Sequence, residues 1–232
     1  MTTPLFPPPS APLVPIAGST QAFPVHRIYC VGRNYEDHAK EMGFTGREPP
    51  FFFMKPADAV LVASGDTPTP LPYPTLTENL HHEVELVVAI GKGGSNIPAA
   101  EAMKHVYGYA VGLDMTRRDL QNAMKKDGRP WCIGKGFDAS APIGAIVPAA
   151  EAGNVAQAGI SLTVNGETRQ NSTVGKLIWS IAETIEHLSR AWALQPGDLI
   201  YTGTPEGVGA VVRGDVLEAR IDGLPPVHLR VA

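Results

Sequence analysis

Short strand-like runs recur along this chain, and helix-forming segments do not alternate with them regularly. Arg27–Val31, Phe51–Met54, Val84–Ile90 (VELVVAI), Tyr107–Leu113, Leu199–Tyr201, Val216–Ile221 and Val227–Val231 have the length and the β-branched or aromatic content of strands. Asn165-Gly166, between Ile160–Val164 and Glu167–Arg169, predicts a hairpin with a two-residue turn. Helical character is confined to Asn34–Met42, Pro98–Val106, Thr116–Lys126 and Lys176–Leu194; the last places Ile178, Ile181, Ile185 and Leu188 at helical spacing. Residues 64–80 hold four prolines and read as a long loop. Strands outnumber helices without alternating with them, which disfavours a doubly wound sheet. The expected fold is a β-rich α+β domain with curled sheets and no internal repeat.

The 232 residues suffice for one domain with a large core. We expect a Pro-rich N-terminal arm over residues 1–24, wrapping over the domain or a neighbouring subunit, and one catalytic domain over 25–232. A net charge of −4 without a basic run argues against nucleic acid. Cys30 and Cys132 are too few for a disulfide framework and are not spaced as zinc ligands, so they read as reduced thiols. The start lacks a basic segment and a long apolar run, and no stretch reaches the ~20 apolar residues of a membrane span. A cytoplasmic protein with no membrane partner is expected.

The most informative stretch is His81-His82-Glu83-Val84-Glu85-Leu86. On a strand, residues i and i+2 point to one face, so Glu83 and Glu85 lie side by side, about 7 Å apart at Cα. Two carboxylates beside a very apolar strand repel each other and resist burial, and a cation relieves both costs. An alternating strand with one wet face explains the spacing equally well. His81 and His82 allow zinc, whereas an oxygen cluster favours magnesium, manganese or calcium. Asp114 ends the run Tyr109–Leu113, a position that suits a site carboxylate and also a helix N-cap.

Other candidates are weaker singly. His38 and Glu41 are three apart on one helical face, where a carboxylate can orient a histidine as a base; an exposed polar helix accounts for them as well. Lys135 lies between Gly134 and Gly136, which let the backbone approach a ligand or form a solvated loop. Thr202–Gly209 (TGTPEGVG) offers hydroxyls and amides to an anion, but it lacks the lysine and long helix of a nucleotide P-loop.

Taken together, these stretches resemble the fumarylacetoacetate hydrolase family from about Tyr29 to the C-terminus. The matching motifs, in order, are Val31-Gly32-Arg33-Asn34-Tyr35 with Asp37-His38, Phe53-Met54-Lys55-Pro56 and His82-Glu83-Val84-Glu85-Leu86. Asp114–Gln121 (DMTRRDLQ), Lys135-Gly136-Phe137-Asp138 and Gly197–Pro205 (GDLIYTGTP) follow. The resemblance implies a mixed β-sandwich roll, usually a homodimer. It makes Glu83, Glu85 and Asp114 ligands of Mg2+ or Mn2+, with His81 and His82 outside the ligand set. It makes His38 and Glu41 the catalytic dyad of the smaller, acylpyruvase-like members. Lys135 and Gln121 would polarise a substrate carbonyl, and Arg33, Arg118 and Thr204 would hold its carboxylates or oxygens.

The expected reaction is metal-dependent hydrolysis of the C–C bond of a 2,4-diketo acid. Fumarylpyruvate, an intermediate of gentisate breakdown, is the expected substrate, with the metal as Lewis acid and template. The same site suits a general acylpyruvate hydrolase, an oxaloacetate decarboxylase or an isomerase of 2-hydroxy-diene dioates. A binding module without the dyad's chemistry is the remaining alternative.

Overall fold

The computed structural model describes residues 2–35 and 47–232. The predicted helix Asn34–Met42 falls largely outside them, as do His38 and Glu41. The strands before the first described helix are β1 (Leu13–Pro15), β2 (Ala22–Pro24), β3 (Ile28–Gly32), β4 (Phe51–Lys55), β5 (Val60–Val62), β6 (Thr69–Leu71), β7 (Leu80–His82) and β8 (Val84–Ile90). Then come α1 (Ala99–Ala102), β9 (Val106–Leu113), β10 (Thr116–Arg117), α2 (Arg118–Lys126), α3 (Cys132–Lys135), β11 (Ala141–Ile143), β12 (Val147–Pro148), β13 (Gly159–Val164) and β14 (Glu167–Thr173). The C-terminal part holds α4 (Ile181–Ala191), β15 (Leu199–Tyr201), β16 (Gly209–Val211), β17 (Val216–Ile221) and β18 (Val227–Val231).

The main sheet runs β4-β3-β15-β8-β9-β11-β5, with β12 also on β9; a second runs β14-β13-β17-β18-β6. Alternation along the strands sorts side chains to the two faces of the main sheet. Val84, Leu86, Val88 and Ile90 of β8, Tyr29 and Val31 of β3, and Tyr109, Val111 and Leu113 of β9 enter the larger core. There they share a cluster with Ile160, Leu162, Leu217, Ala219, Ile221 and Leu229 of the second sheet, so the two sheets form a sandwich. The opposite alternation gives Val87, Ala89, Ile28, Cys30, Leu199 and Tyr201, which join a smaller core on the other face. All seven residues of β8 are buried.

That second face is covered by part of the expected N-terminal arm. β1 and β2 pair antiparallel, and Val14, Ile16, Phe23 and Val25 enter the smaller core. The hairpin is anchored by Ile146 N–H to Pro15 O and Ala17 N–H to Ile146 O, both 2.9 Å. Residues 2–11 are exposed.

Elsewhere the structure trims the sequence reading. Asn165 and Gly166 both have positive φ, 52° and 82°, as a type I′ turn needs. The expected helix Lys176–Leu194 begins only at Ile181, because Ser180 and Glu183 form a reciprocal capping box there. Thr116 and Arg117 form a short strand against β7 before α2. The predicted loop 64–80 contains β6, which pairs parallel with β18. Pro98–Val106 yields only α1 and a 3-10 turn. Both cysteines are free, Cys30 buried and Cys132 exposed. No described helix is long and apolar enough to cross a membrane.

Deleting residues 2–10 should leave the urea midpoint unchanged. Phe23→Ala should cost about 3 kcal/mol at unchanged m-value. Comparable losses from both changes would show that the hairpin is not what seals the second face.

Candidate metal centre

The junction of β7 and β8 builds the site. β7 belongs to a three-stranded sheet with β10 and β16, β8 to the main sheet, and Glu83 is the residue between them. The β8–β9 ladder pairs Val84 with Leu113 and Glu85 with Gly112, and Asp114 N–H donates to Glu83 O at 2.9 Å just beyond it. Carboxylates at ladder-adjacent positions on one face are thereby brought together. Ligand oxygens of Glu83, Glu85 and Asp114 lie within 4.8 Å of one another, and all three residues are buried. This triad can hold a divalent metal ion: three anionic oxygen donors in one small pocket suit a hard cation.

Each carboxylate is oriented. Glu85 accepts from Gly203 N–H at 2.8 Å. Gly203 has φ +106°, and a Cβ there would fall 2.7 Å from Asn34 Cβ, so the turn requires glycine. Asn34 holds that loop, donating through Nδ2 to Thr202 O (2.8 Å) and to Trp179 O (3.0 Å). Burial, then Asp114 and Glu83, push the Glu85 carboxyl well above its usual range. A shared cation is the direct remedy for that repulsion.

Three cations face the triad. Lys135 Nζ donates to Asp114 Oδ2 (2.6 Å), Glu83 Oε2 (2.9 Å) and Thr116 Oγ1 (2.7 Å). Burial alone would discharge this ammonium, but Asp114 and Glu83 outweigh it and hold its pKa above the usual value. Lys55 Nζ lies 2.8 Å from Asp114 Oδ1, donates to Met115 O at 3.0 Å and also reaches Lys135 O. Arg118 pairs with Glu83 and donates to Gln121 Oε1 at 2.6 Å. These three cations offset the three carboxylates, and Arg33 on the chamber wall adds a further positive charge, so a divalent ion would leave the chamber net positive. The sequence reading counted Arg33, Arg118 and Lys135 as cations and missed Lys55. Its signal was its place in the Phe53-Met54-Lys55-Pro56 motif, to which no role was given.

One chamber is lined by Arg33, Glu83, Glu85, Asp114, Arg118, Gln121, Lys135 and Thr204. All the candidate site residues among the described ones meet there. His81 and His82 stay outside the triad. Burial and Arg118 press His81 down to about 4, so it is neutral at pH 7 and accepts from Arg118 Nε at 3.4 Å. His82 Nδ1 bonds Gln170 Oε1 at 3.0 Å.

Gln170 also escaped the sequence reading. It is fully buried, accepts from Val84 N–H (3.1 Å) and donates to Thr204 Oγ1 (2.8 Å) and Pro205 O (2.9 Å). It thus links the second sheet to the strand of the triad and to the Thr204 loop. Only its inward place on β14, whose other residues are mostly exposed, marks it.

Residues 27–232 match the family model described as Fumarylacetoacetate (FAA) hydrolase C-terminal. A crystal structure of fumarylpyruvate hydrolase from Pseudomonas aeruginosa, in complex with Mn2+ and pyruvate, is 57% identical with TM-score 0.97 over 99% of both chains. A fumarylpyruvate hydrolase of Ralstonia sp is 50% identical over 184 residues, 79% of this chain and 93% of that protein. A mitochondrial oxaloacetate tautomerase of Rattus norvegicus is 45% identical over 204 residues, 88% of this chain and 90% of its own. The β-rich sandwich, the buried acidic triad and these matches agree: the chain belongs to the fumarylacetoacetate hydrolase family.

Proposed function

We propose that this protein is a metal-dependent hydrolase that cleaves fumarylpyruvate, a 2,4-diketo acid, to fumarate and pyruvate. The observation that carries this reading is a buried acidic triad paired with Lys55, Lys135 and Arg118 in a chamber that Arg33 also lines. Loaded with a divalent ion, the chamber would carry a net positive charge, which suits a dianionic substrate. The resemblance to a fumarylpyruvate hydrolase holding Mn2+ and pyruvate supports the same choice.

Glu83, Glu85 and Asp114 would hold Mg2+ or Mn2+, which supplies Lewis-acid polarisation of the substrate's oxygens. Arg118 and Arg33 would take the carboxylate and oxygens of its pyruvoyl end, guanidinium groups being suited to bidentate pairing, with Thr204 as a further donor. Lys135 and Gln121 would steady the oxyanion that forms, a contribution of about 3 kcal/mol per donor. His38, oriented by Glu41, would take a proton from water as its oxygen bonds the ketone carbon remote from the pyruvoyl end. The adjacent C–C bond then breaks with its electron pair staying on the pyruvate carbon, which a proton converts to methyl. One water is consumed, and fumarate carries the new oxygen. We place this activity in gentisate breakdown, in a cytoplasmic homodimer.

A second reading keeps the site and drops the attacking water. The rat relative and an Escherichia coli relative 42% identical over 207 residues are oxaloacetate tautomerases, a reaction that needs only proton transfer. Loss of diketo-acid absorbance decides between them. With Mn2+, fumarylpyruvate should be cleaved faster than acetylpyruvate, and EDTA should abolish turnover. Enolisation of oxaloacetate with no fumarate released from fumarylpyruvate would establish the tautomerase instead.

Mn2+ at about 100 times its Kd should raise Tm by roughly 5–10 °C, from ~2.7 kcal/mol of linkage. Glu85→Gln should lose that shift while remaining, in EDTA, at least as stable as the parent, because an amide removes a buried charge. A shift retained in Glu85→Gln would remove Glu85 from the ligand set. His38→Ala should keep the Mn2+ shift and lose roughly 10²–10⁴-fold in kcat; a wild-type rate would refute the assigned base.

A further inference from the structure

The triad's chamber is small. Its free volume is about 30 Å³, room for one or two water molecules. A diketo acid cannot lie wholly inside it. Beside it opens a groove of about 620 Å³, within the usual size of a small-molecule site, which shares Arg33, Phe53, Trp131 and Lys135 with the chamber. We propose that this groove is the subsite for the acyl end of the substrate and selects flat, conjugated acyl groups. In this subsite Trp131 is the stacking wall and Arg129 the reader of a terminal carboxylate. The proposal rests on the diketo-acid function above and assigns its substrate specificity.

The wall is aromatic from the chamber outward. Lys135 Nζ lies 5.1 Å from the Phe53 ring centroid, so the rings begin where the triad's cation ends. Trp131 meets Phe53 at 5.9 Å and Phe51 edge-on at 5.2 Å. Phe51 and Phe53 are i and i+2 on the sheet's edge strand and share a face. Phe51 pairs across the ladder with Gly32, where a Cβ would fall 2.0 Å from the ring, so the ring lies directly over the glycine.

Local sequence seats Trp131. After α2, Gly128 takes φ +63° and donates to Lys125 O at 3.3 Å, while Arg129 N–H donates to Met124 O at 2.8 Å. These are the paired bonds of a Schellman cap, and Pro130 prevents the helix from continuing. Trp131 O then accepts from Lys135 N–H at 3.0 Å. One backbone turn therefore joins the acyl wall to the lysine of the triad.

The chemistry selects a class of acid. Ring walls favour a planar π system by stacking and offer little to a methyl group. Arg129, at the groove's rim, makes a loose surface pair with Asp127 at 3.8 Å. A carboxylate at the end of a conjugated acyl chain offers it a bidentate partner instead. An aryl diketo acid should enter by stacking alone.

Three substrates separate these contributions: acetylpyruvate, 4-phenyl-2,4-dioxobutanoate and fumarylpyruvate. Trp131→Ala should lower kcat/KM for the phenyl and fumaryl acids, each relative to acetylpyruvate, by about tenfold or more, and Trp131→Phe should restore most of it. Arg129→Gln should lower the fumaryl ratio and leave the phenyl ratio in place. Equal losses on all three acids, or unchanged ratios, overturn the subsite. Wild-type protein that turns over oxaloacetate but leaves fumarylpyruvate intact overturns the function instead. Quenching of tryptophan fluorescence by the phenyl acid then still judges the groove: it supports the subsite if Trp131→Ala removes it, and overturns it otherwise.

Discussion

Three carboxylates with oxygens inside 4.8 Å of one another, in a buried chamber, are the constraint around which this structure is arranged. At about 4 Å and an effective dielectric constant near 20, each like-charged pair costs about 4 kcal/mol before any compensation. The fold supplies that compensation from separate parts of the chain. Lys55 comes from the edge strand, Lys135 from the end of α3, and Arg118 from the start of α2. Each cation is fastened in turn, Lys55 through Met115 O, Lys135 through Thr116 and Arg118 through Gln121. The site and the sheet edge are therefore one mechanical unit.

Holding such a unit still requires a sheet buried on both sides. β8 is buried along its whole length because the second sheet covers one face and the N-terminal hairpin covers the other. The proline-rich start of the chain is thus part of the scaffold of the metal centre from residue 13 onward. The proposed acyl groove lies where that protection ends, at edge strand β4, which places aromatic side chains beside the chamber.

Much of this was legible in the sequence. Strands β3, β4, β8, β9, β15, β17 and β18 announce themselves through period-two patterns or apolar runs, and Asn165-Gly166 through its turn chemistry. Residues of the acidic triad were visible as an i, i+2 pair and a strand-end aspartate, but spacing alone left a wet strand face and a helix cap as equal explanations. Their order among the flanking motifs, a resemblance and not a calculation, made them one site. The short strands were not legible. Two or three residues carry too little pattern, and partners such as β18 for β6 lie far away in sequence. The start of α4 was missed because apolar spacing continues upstream of the cap at Ser180.

By itself, the sequence determined the class of fold and the carboxylate character of the candidate metal ligands, because alternation and donor type are local properties. Only the tertiary structure decided that Lys55 neutralises Asp114 and that Gln170 links two sheets to the Thr204 loop. It also revealed that Trp131 packs against Phe51 and Phe53 beside the chamber. Those contacts join residues tens of positions apart, and the register of long-range strand pairing sets their distances, which no local pattern encodes. The pair Glu83 and Glu85 shows both halves. Their spacing was written in the chain, and their meaning came from what the fold packed against them.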